Sequence, residues 1–140
     1  MRPQRLTEFS IYVEDRPGEL AGVLDAVGAR GVEIEAMKVS TNTSTGKGII
    51  RLVGSPTEDL RASLESLVET GLGPLTEAEV LSVGLERRPN AFRDIAVHFA
   101  PKGINVLYAY LAPANNGHQA RCVLRVDDLD AAERAIEALG

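Results

Sequence analysis

Few residues in this chain are suited to chemistry, and they stand apart from one another. His98 and His118 are its two histidines, and they lie 20 positions apart. His98 falls in a helical pattern between Ile95 and Phe99, and His118 falls beside a turn, so no metal pair is expected from them. Glu14, Asp15, Glu33 and Glu35 cluster in sequence. They fall at strand ends, where carboxylates are ordinarily solvated, and a catalytic dyad is not expected. Cys122 is the single cysteine and sits in an alternating strand pattern, which reads as a core thiol rather than a nucleophile. There is no phosphate-binding glycine loop, no His-Glu-x-x-His and no cysteine pair. The chain is therefore expected not to be an enzyme, and neither a metal nor a cofactor is expected.

Binding chemistry is the better prospect, and it falls on two loops that repeat. Glu14-Asp15-Arg16-Pro17-Gly18-Glu19-Leu20 recurs 72 residues later as Glu86-Arg87-Arg88-Pro89-Asn90-Ala91-Phe92. Gly31-Val32-Glu33-Ile34 recurs at the same offset as Gly103-Ile104-Asn105-Val106. A constant offset means two structural units of one kind. Each loop leads from a strand into a helix. The first turn of a helix presents unpaired N–H groups that suit a carboxylate. Gly18 permits close approach to the backbone, and Asn105 offers both a donor and an acceptor. The competing reading is that Pro17-Gly18 is turn chemistry alone and that Asn105 only ends a strand.

The elements that carry these loops follow from periodicity. Phe9, Ile11 and Val13 alternate in a strand, and Leu20, Val23, Leu24 and Val27 make a helical stripe. Val32, Ile34 and Ala36 predict one face of a second strand, and Ile50 and Leu52 the inner face of a third. Ser55-Pro56-Thr57-Glu58 has the form of a capping box before a helix burying Leu60, Leu64, Leu67 and Val68. Residues 75–85 must end the first unit and begin the second, as one continuous strand or as two in close succession. The second unit repeats the plan, with Phe92, Ile95, Ala96 and Phe99 predicted inward. Asn116-Gly117 signals a tight turn, and a strand follows from Gln119 to Val126. Asp127 or Asp128 then caps a last helix burying Ala132, Ala135, Ile136 and Leu139.

The expected class is therefore α+β. It consists of tandem ferredoxin-like βαββαβ units with antiparallel sheets joined side by side, divided as residues 1–77 and 78–140. The last strand of the second unit is missing from the sequence. An N-terminal extension or a neighbouring chain is expected to cover that edge. With 140 residues and a net charge of −5, an extensive nucleic-acid interface is not expected. No run is long and apolar enough for a membrane span, and no secretory segment opens the chain, so a cytoplasmic location is expected.

With this order of elements, the chain resembles the ACT domain family, and in particular a tandem ACT-domain protein. The likeness rests on Asp15-Arg16-Pro17-Gly18-Glu19-Leu20 after the first strand and on the Gly-Val/Ile-x-Ile/Val stretches at 31–34 and 103–106. It implies a non-catalytic regulatory or sensor protein that binds a small ligand, most often an amino acid, between two ACT-like units. It further implies one site from Arg16, Pro17, Gly18, Glu19 and Leu20 with Ile104, Asn105 and Val106. A second would combine Arg88, Pro89, Asn90, Ala91 and Phe92 with Val32, Glu33 and Ile34. The second departs from the family pattern twice, at Asn90 and at Glu33, and is expected to be the weaker. A homodimer and a separate regulated enzyme are the expected partners. The alternatives are a structural or protein-interaction module with a vestigial ligand site, and a small enzyme on the same scaffold.

Overall fold

Val23 and Val27 on one helix, and Ile95 and Phe99 on another, are almost wholly withdrawn from water. They sit at equivalent positions of the two repeats, and each pair anchors its own core. The computed structural model describes residues 2–114 and 120–139. The sequence signals at Asn116-Gly117, His118 and Gln119 lie outside the described residues. In chain order the elements are β1 (Gln4–Glu14), α1 (Glu19–Ala29), β2 (Glu33–Asn42), β3 (Lys47–Ser55) and α2 (Thr57–Glu69). They continue with β4 (Leu75–Leu85), α3 (Ala91–Phe99), a short 3-10 turn (Ala100–Lys102), β5 (Val106–Pro113), β6 (Ala120–Val126) and α4 (Leu129–Ala138). The chain divides into two units: residues 7–78, and residues 79–140 together with 1–6. Residues 75–85 form one continuous strand, so the joint is β4 itself.

In the unit of residues 7–78 the strands run in the order β2-β3-β1. Phe9 pairs with Leu52 and Ile11 with Ile50 in antiparallel register. Alternation sends these four side chains to one face, where α1 and α2 cover them. Phe9, Ile11, Val23, Val27, Leu52 and Leu60 form the core there. Burying a side chain of this size contributes about 1.5–3 kcal/mol. Pro74 and Gly73, at the approach to β4, bond to the backbone of Tyr12 at 3.0 Å each.

Three sequence expectations fail in this unit, each for a local reason. Ile34 does not share the buried face of Val32 and Ala36, because the pairing with β3 slips between Ile34 and Ala36. Such a bulge re-aims the side chains around it. Ser55 does not cap α2: it is the last residue of β3, and its hydroxyl donates to Glu35 at 3.0 Å. Pro56, with no side-chain donor or acceptor, stands at the cap position. Val68 is exposed at the end of α2, while Leu60 and Leu64 carry the burial.

In the other unit the order is β4-β6-β5, with Leu81 opposite Leu124 and Val83 opposite Cys122. The core joins Leu81, Ile95, Phe99, Leu124, Val126 and Ile136. The strand absent from the second repeat has a substitute, since β1 neighbours β4 and its first residues belong to this unit. Arg5 secures that end: it donates to Glu133 at 3.1 Å and to Asp130, and it lies 3.5 Å from Glu79. The hydrogen bond from Arg5 holds the Asp130 carboxyl below its usual range.

The buried stripe of α3 is Ala91, Ile95 and Phe99 rather than the predicted Phe92, Ile95, Ala96 and Phe99. Phe92 and Ala96 are exposed, because the helix turns positions four apart towards the sheet. The two candidates for capping α4 divide their work. Asp128 accepts from the Ala131 amide at 3.1 Å, whereas Asp127 accepts from the Asn105 amide at 3.0 Å. Ala132, Ala135 and Ile136 are buried as their spacing predicts. Among the described residues no helix is long and apolar enough to cross a membrane.

Candidate functional site

The repeated loops share a backbone. Gly18 precedes α1 with φ +93°, and Asn90 precedes α3 with φ +71°. Both are left-handed, a region open to glycine and, among residues with a side chain, most readily to asparagine. Asn90 therefore preserves the geometry that Gly18 supplies. Neither helix start receives a side-chain cap. Apart from the Glu19 amide, which donates to the Arg16 carbonyl at 3.4 Å, the first-turn N–H groups of α1 and α3 take no side-chain partner and face solvent or a ligand.

Each loop borders a cleft made by its own unit. Val13, Arg16, Glu19, Leu20, Val39 and Gly48 line the first, of about 110 Å³. Leu85, Arg88, Ala91, Phe92, Leu111 and Ala120 line the second, of about 360 Å³. Each of these six residues stands 72 positions from its counterpart, so the clefts are equivalent by repeat. Their chemistry is not equivalent. In the first, Arg16 donates to Glu19 at 2.7 Å, and the Glu19 side chain is only 15% exposed. In the second, Ala91 replaces that carboxylate, and Arg88 turns to Asp94 at 2.9 Å instead. The Asp94 hydrogen bond raises the Arg88 pKa above its ordinary value.

The remaining site residues lie elsewhere in their units. Glu14 pairs across the sheet with Lys47, and Lys47 in turn with Asn42, at one end of β3. Glu33 pairs with Ser55 at the other end. Within the unit of residues 7–78, Arg16 to Leu20 and Val32 to Ile34 therefore lie at opposite ends of the sheet. The same register separates the carboxylates of Glu14 and Asp15 from those of Glu33 and Glu35, so no dyad forms. Asn105 is exposed; its backbone is fastened reciprocally to Asp127, at 3.0 and 3.1 Å. Ile104 is buried beside it, and Val106 packs partly against the core.

Cys122 is a core residue, and burial pushes its thiol up to about 12. A thiol so protonated is neither a ready nucleophile nor a metal ligand. The Nε2 of His98 is buried without a hydrogen-bond partner. Among the described residues no cluster of His, Cys, Asp and Glu is able to hold a metal ion. Sequence reasoning missed Leu111 and Ala120 as cleft residues. The offset that relates them to Val39 and Gly48 was a signal available to find them.

Fold and loops together define a pair of ferredoxin-like units of one kind. The chain belongs to the ACT domain pair family, whose model matches residues 4–139, and ACT domains are non-catalytic regulatory modules. Among solved structures, it is similar to a protein from Bacteroides thetaiotaomicron with a TM-score of 0.82 at 19% identity, over 97% of this chain and 89% of that one. It is also similar to the ligand-free regulatory subunit of aspartate kinase from Thermus thermophilus, with a TM-score of 0.67 at 17% identity, over 99% and 96% of the two chains. The regulatory subunit of aspartate kinase from Thermus flavus gives a TM-score of 0.60 at 19% identity, over 99% and 96%. No curated protein matches the chain in sequence.

Proposed function

We propose that this chain is a regulatory or sensor protein that binds a free amino acid at its strand-to-helix loops and acts through a partner. The observation that carries this reading is the pair of uncapped, left-handed helix starts at Gly18 and Asn90. Two such starts on repeated units offer N–H groups to a carboxylate with little conformational adjustment. Membership of the ACT domain pair family supports a ligand-binding regulatory role. In the proposal, Arg16, Pro17, Gly18, Glu19 and Leu20 act with Ile104, Asn105 and Val106. The weaker site uses Arg88, Pro89, Asn90, Ala91 and Phe92 with Val32, Glu33 and Ile34. Both pairings rest on the family resemblance.

The proposed partners are a second copy of the chain and a separate enzyme, in the cytoplasm. The likeness in fold to an aspartate kinase regulatory subunit supports the enzyme partner. Leu107 and Leu111 are 53% and 58% exposed on β5, an outer strand, and favour docking of another chain along it. The same two residues favour the second reading, a protein-interaction module without a ligand.

A thermal-shift screen against the common amino acids tests the proposal. A rise in midpoint is expected for a subset of them and should vanish in Asn105→Ala, a change at an exposed position. No shift with any amino acid would leave the interaction module as the better reading.

A further inference from the structure

Each loop arginine is already answered by a carboxylate of its own unit, and the two answers come from different helix positions. Arg16 donates to Glu19 at 2.7 Å, three residues on, at the start of α1. Arg88 donates to Asp94 at 2.9 Å, six residues on, in α3. The counterpart of Glu19 is Ala91, and the counterpart of Asp94 is Gly22. The pairing therefore recurs although neither acid has an equivalent in the other repeat. We infer that Glu19 and Asp94 are built-in competitors, each occupying the arginine of its loop until a ligand carboxylate displaces it. The inference rests on the proposed function, in which these loops receive an amino acid, and adds the contact that opposes its entry.

Helix geometry explains how the acid moved without losing the arginine. Residues three apart on a helix are neighbours on its surface. A carboxylate at 94 thus stays within reach of the loop that one at 91 would serve, and α3 keeps the small, buried Ala91 against its core. The second pair is also shared, since Arg93 lies 3.7 Å from the Asp94 carboxylate. The other contacts of Arg88 are longer, at 3.3 Å to the Pro89 carbonyl and 3.5 Å to Glu86. Loss of Asp94 would release two guanidinium groups together.

Exposure makes these pairs displaceable. Arg16 is 67% exposed and Arg88 43%, so solutes reach both. An ion pair as open as this contributes a preference of at most about fivefold. A ligand that also bonds the first-turn N–H groups would overcome that preference, whereas a simple carboxylate would meet it in full. Each pair thus sets a threshold that favours a ligand engaging the backbone over one that offers charge alone.

Amide chemical shifts of the full chain test this during titration with sodium propanoate, against sodium chloride at matched ionic strength. In Asp94→Asn the amides of Ala91, Phe92 and Arg93 should respond with an affinity about three- to fivefold higher than in the unaltered chain. Glu19→Gln should give the same gain at Gly18 and Leu20. Adding Arg88→Gln to Asp94→Asn should abolish the gain at α3, which a mere loosening of the helix start would not do. No gain in Asp94→Asn, or a gain that survives Arg88→Gln, would overturn the inference. An amino acid that shifts the 86–92 loop with equal affinity in the unaltered chain and in Asp94→Asn would also overturn it, leaving the amino-acid proposal standing. If propanoate gains in Asp94→Asn while no amino acid raises the unfolding midpoint, the competing contact stands and the amino-acid proposal falls.

Discussion

Arg16 and Arg88 hold corresponding positions in the two repeats, yet they turn to different partners. Arg16 bonds to Glu19 in the cleft wall, and Arg88 bonds to Asp94, further along α3. One substitution, Glu19 against Ala91, relocates the carboxylate that the arginine answers. The backbone beneath is the same, left-handed at Gly18 and at Asn90. Duplication has conserved the geometry of the loop here while its charge reversed. A repeat can therefore keep a loop's backbone without keeping its charge.

The cores beneath the loops differ in the same sense, and truncation should show it most strongly. Phe99 and Val27 are equivalent and fully buried. Phe99→Ala should cost about 3–5 kcal/mol through lost burial and the cavity left behind, with Val27→Ala costing clearly less. Urea unfolding followed by circular dichroism measures both. Equal losses would mean that the two cores relax differently from what their packing implies.

Backbone strain gives the next largest effect. Gly18→Val forces a β-branched residue to φ +93°, at a cost of about 1–2 kcal/mol, although no atom crowds the position. Its effect on ligand binding is thus not separable from its effect on folding, which makes Asn105→Ala the cleaner probe. Asn90→Gly should change stability by only a few tenths of a kcal/mol, since both residues accept the left-handed region. A large loss there would show that the Asn90 side chain has a role of its own.

Surface ion pairs should give the smallest effects. Lys47 holds the Glu14 carboxyl below its ordinary value of 4.5, and Arg61 does the same for Glu77. Both are depressed carboxylates. Their contribution is complete above the unfolded value and fades as pH falls through the lower folded one. Lys47→Met should flatten the acid limb of the stability curve in the first repeat, and Arg5→Ala, which frees Asp130, in the second. Unfolding midpoints between neutral pH and pH 3 would reveal it, and unchanged limbs would assign both pairs to solvent screening.

Much of the fold was legible in the residues themselves. The alternation at Phe9, Ile11 and Val13, the spacing of Val23 and Val27, and the constant offset of 72 residues give the order of strands and α-helices, though not the 3-10 turn at Ala100–Lys102. Local signals failed where a competing partner intervened. Ser55 had the form of a cap, but β3 ran through it and Glu35 took its hydroxyl. Phe92 had helical spacing for the core, yet Ala91 faces inward and Phe92 lines the cleft. The candidate loops were visible in sequence because Pro17-Gly18 and Pro89-Asn90 are turn chemistry read over a few residues.

The sequence alone determined the repeat, the kind of unit and the loops, because each depends on residues within a turn or two of one another. Tertiary structure decided the rest. It seated the first residues of β1 beside β4, with Arg5 among Glu79, Asp130 and Glu133, in place of the strand the second repeat lacks. It also brought Leu111 and Ala120 to the 86–92 loop, so that a missing carboxylate became an open cleft. These outcomes depend on residues more than a helix length apart in sequence meeting across a sheet, and sheet register, unlike periodicity, is settled by the assembled chain.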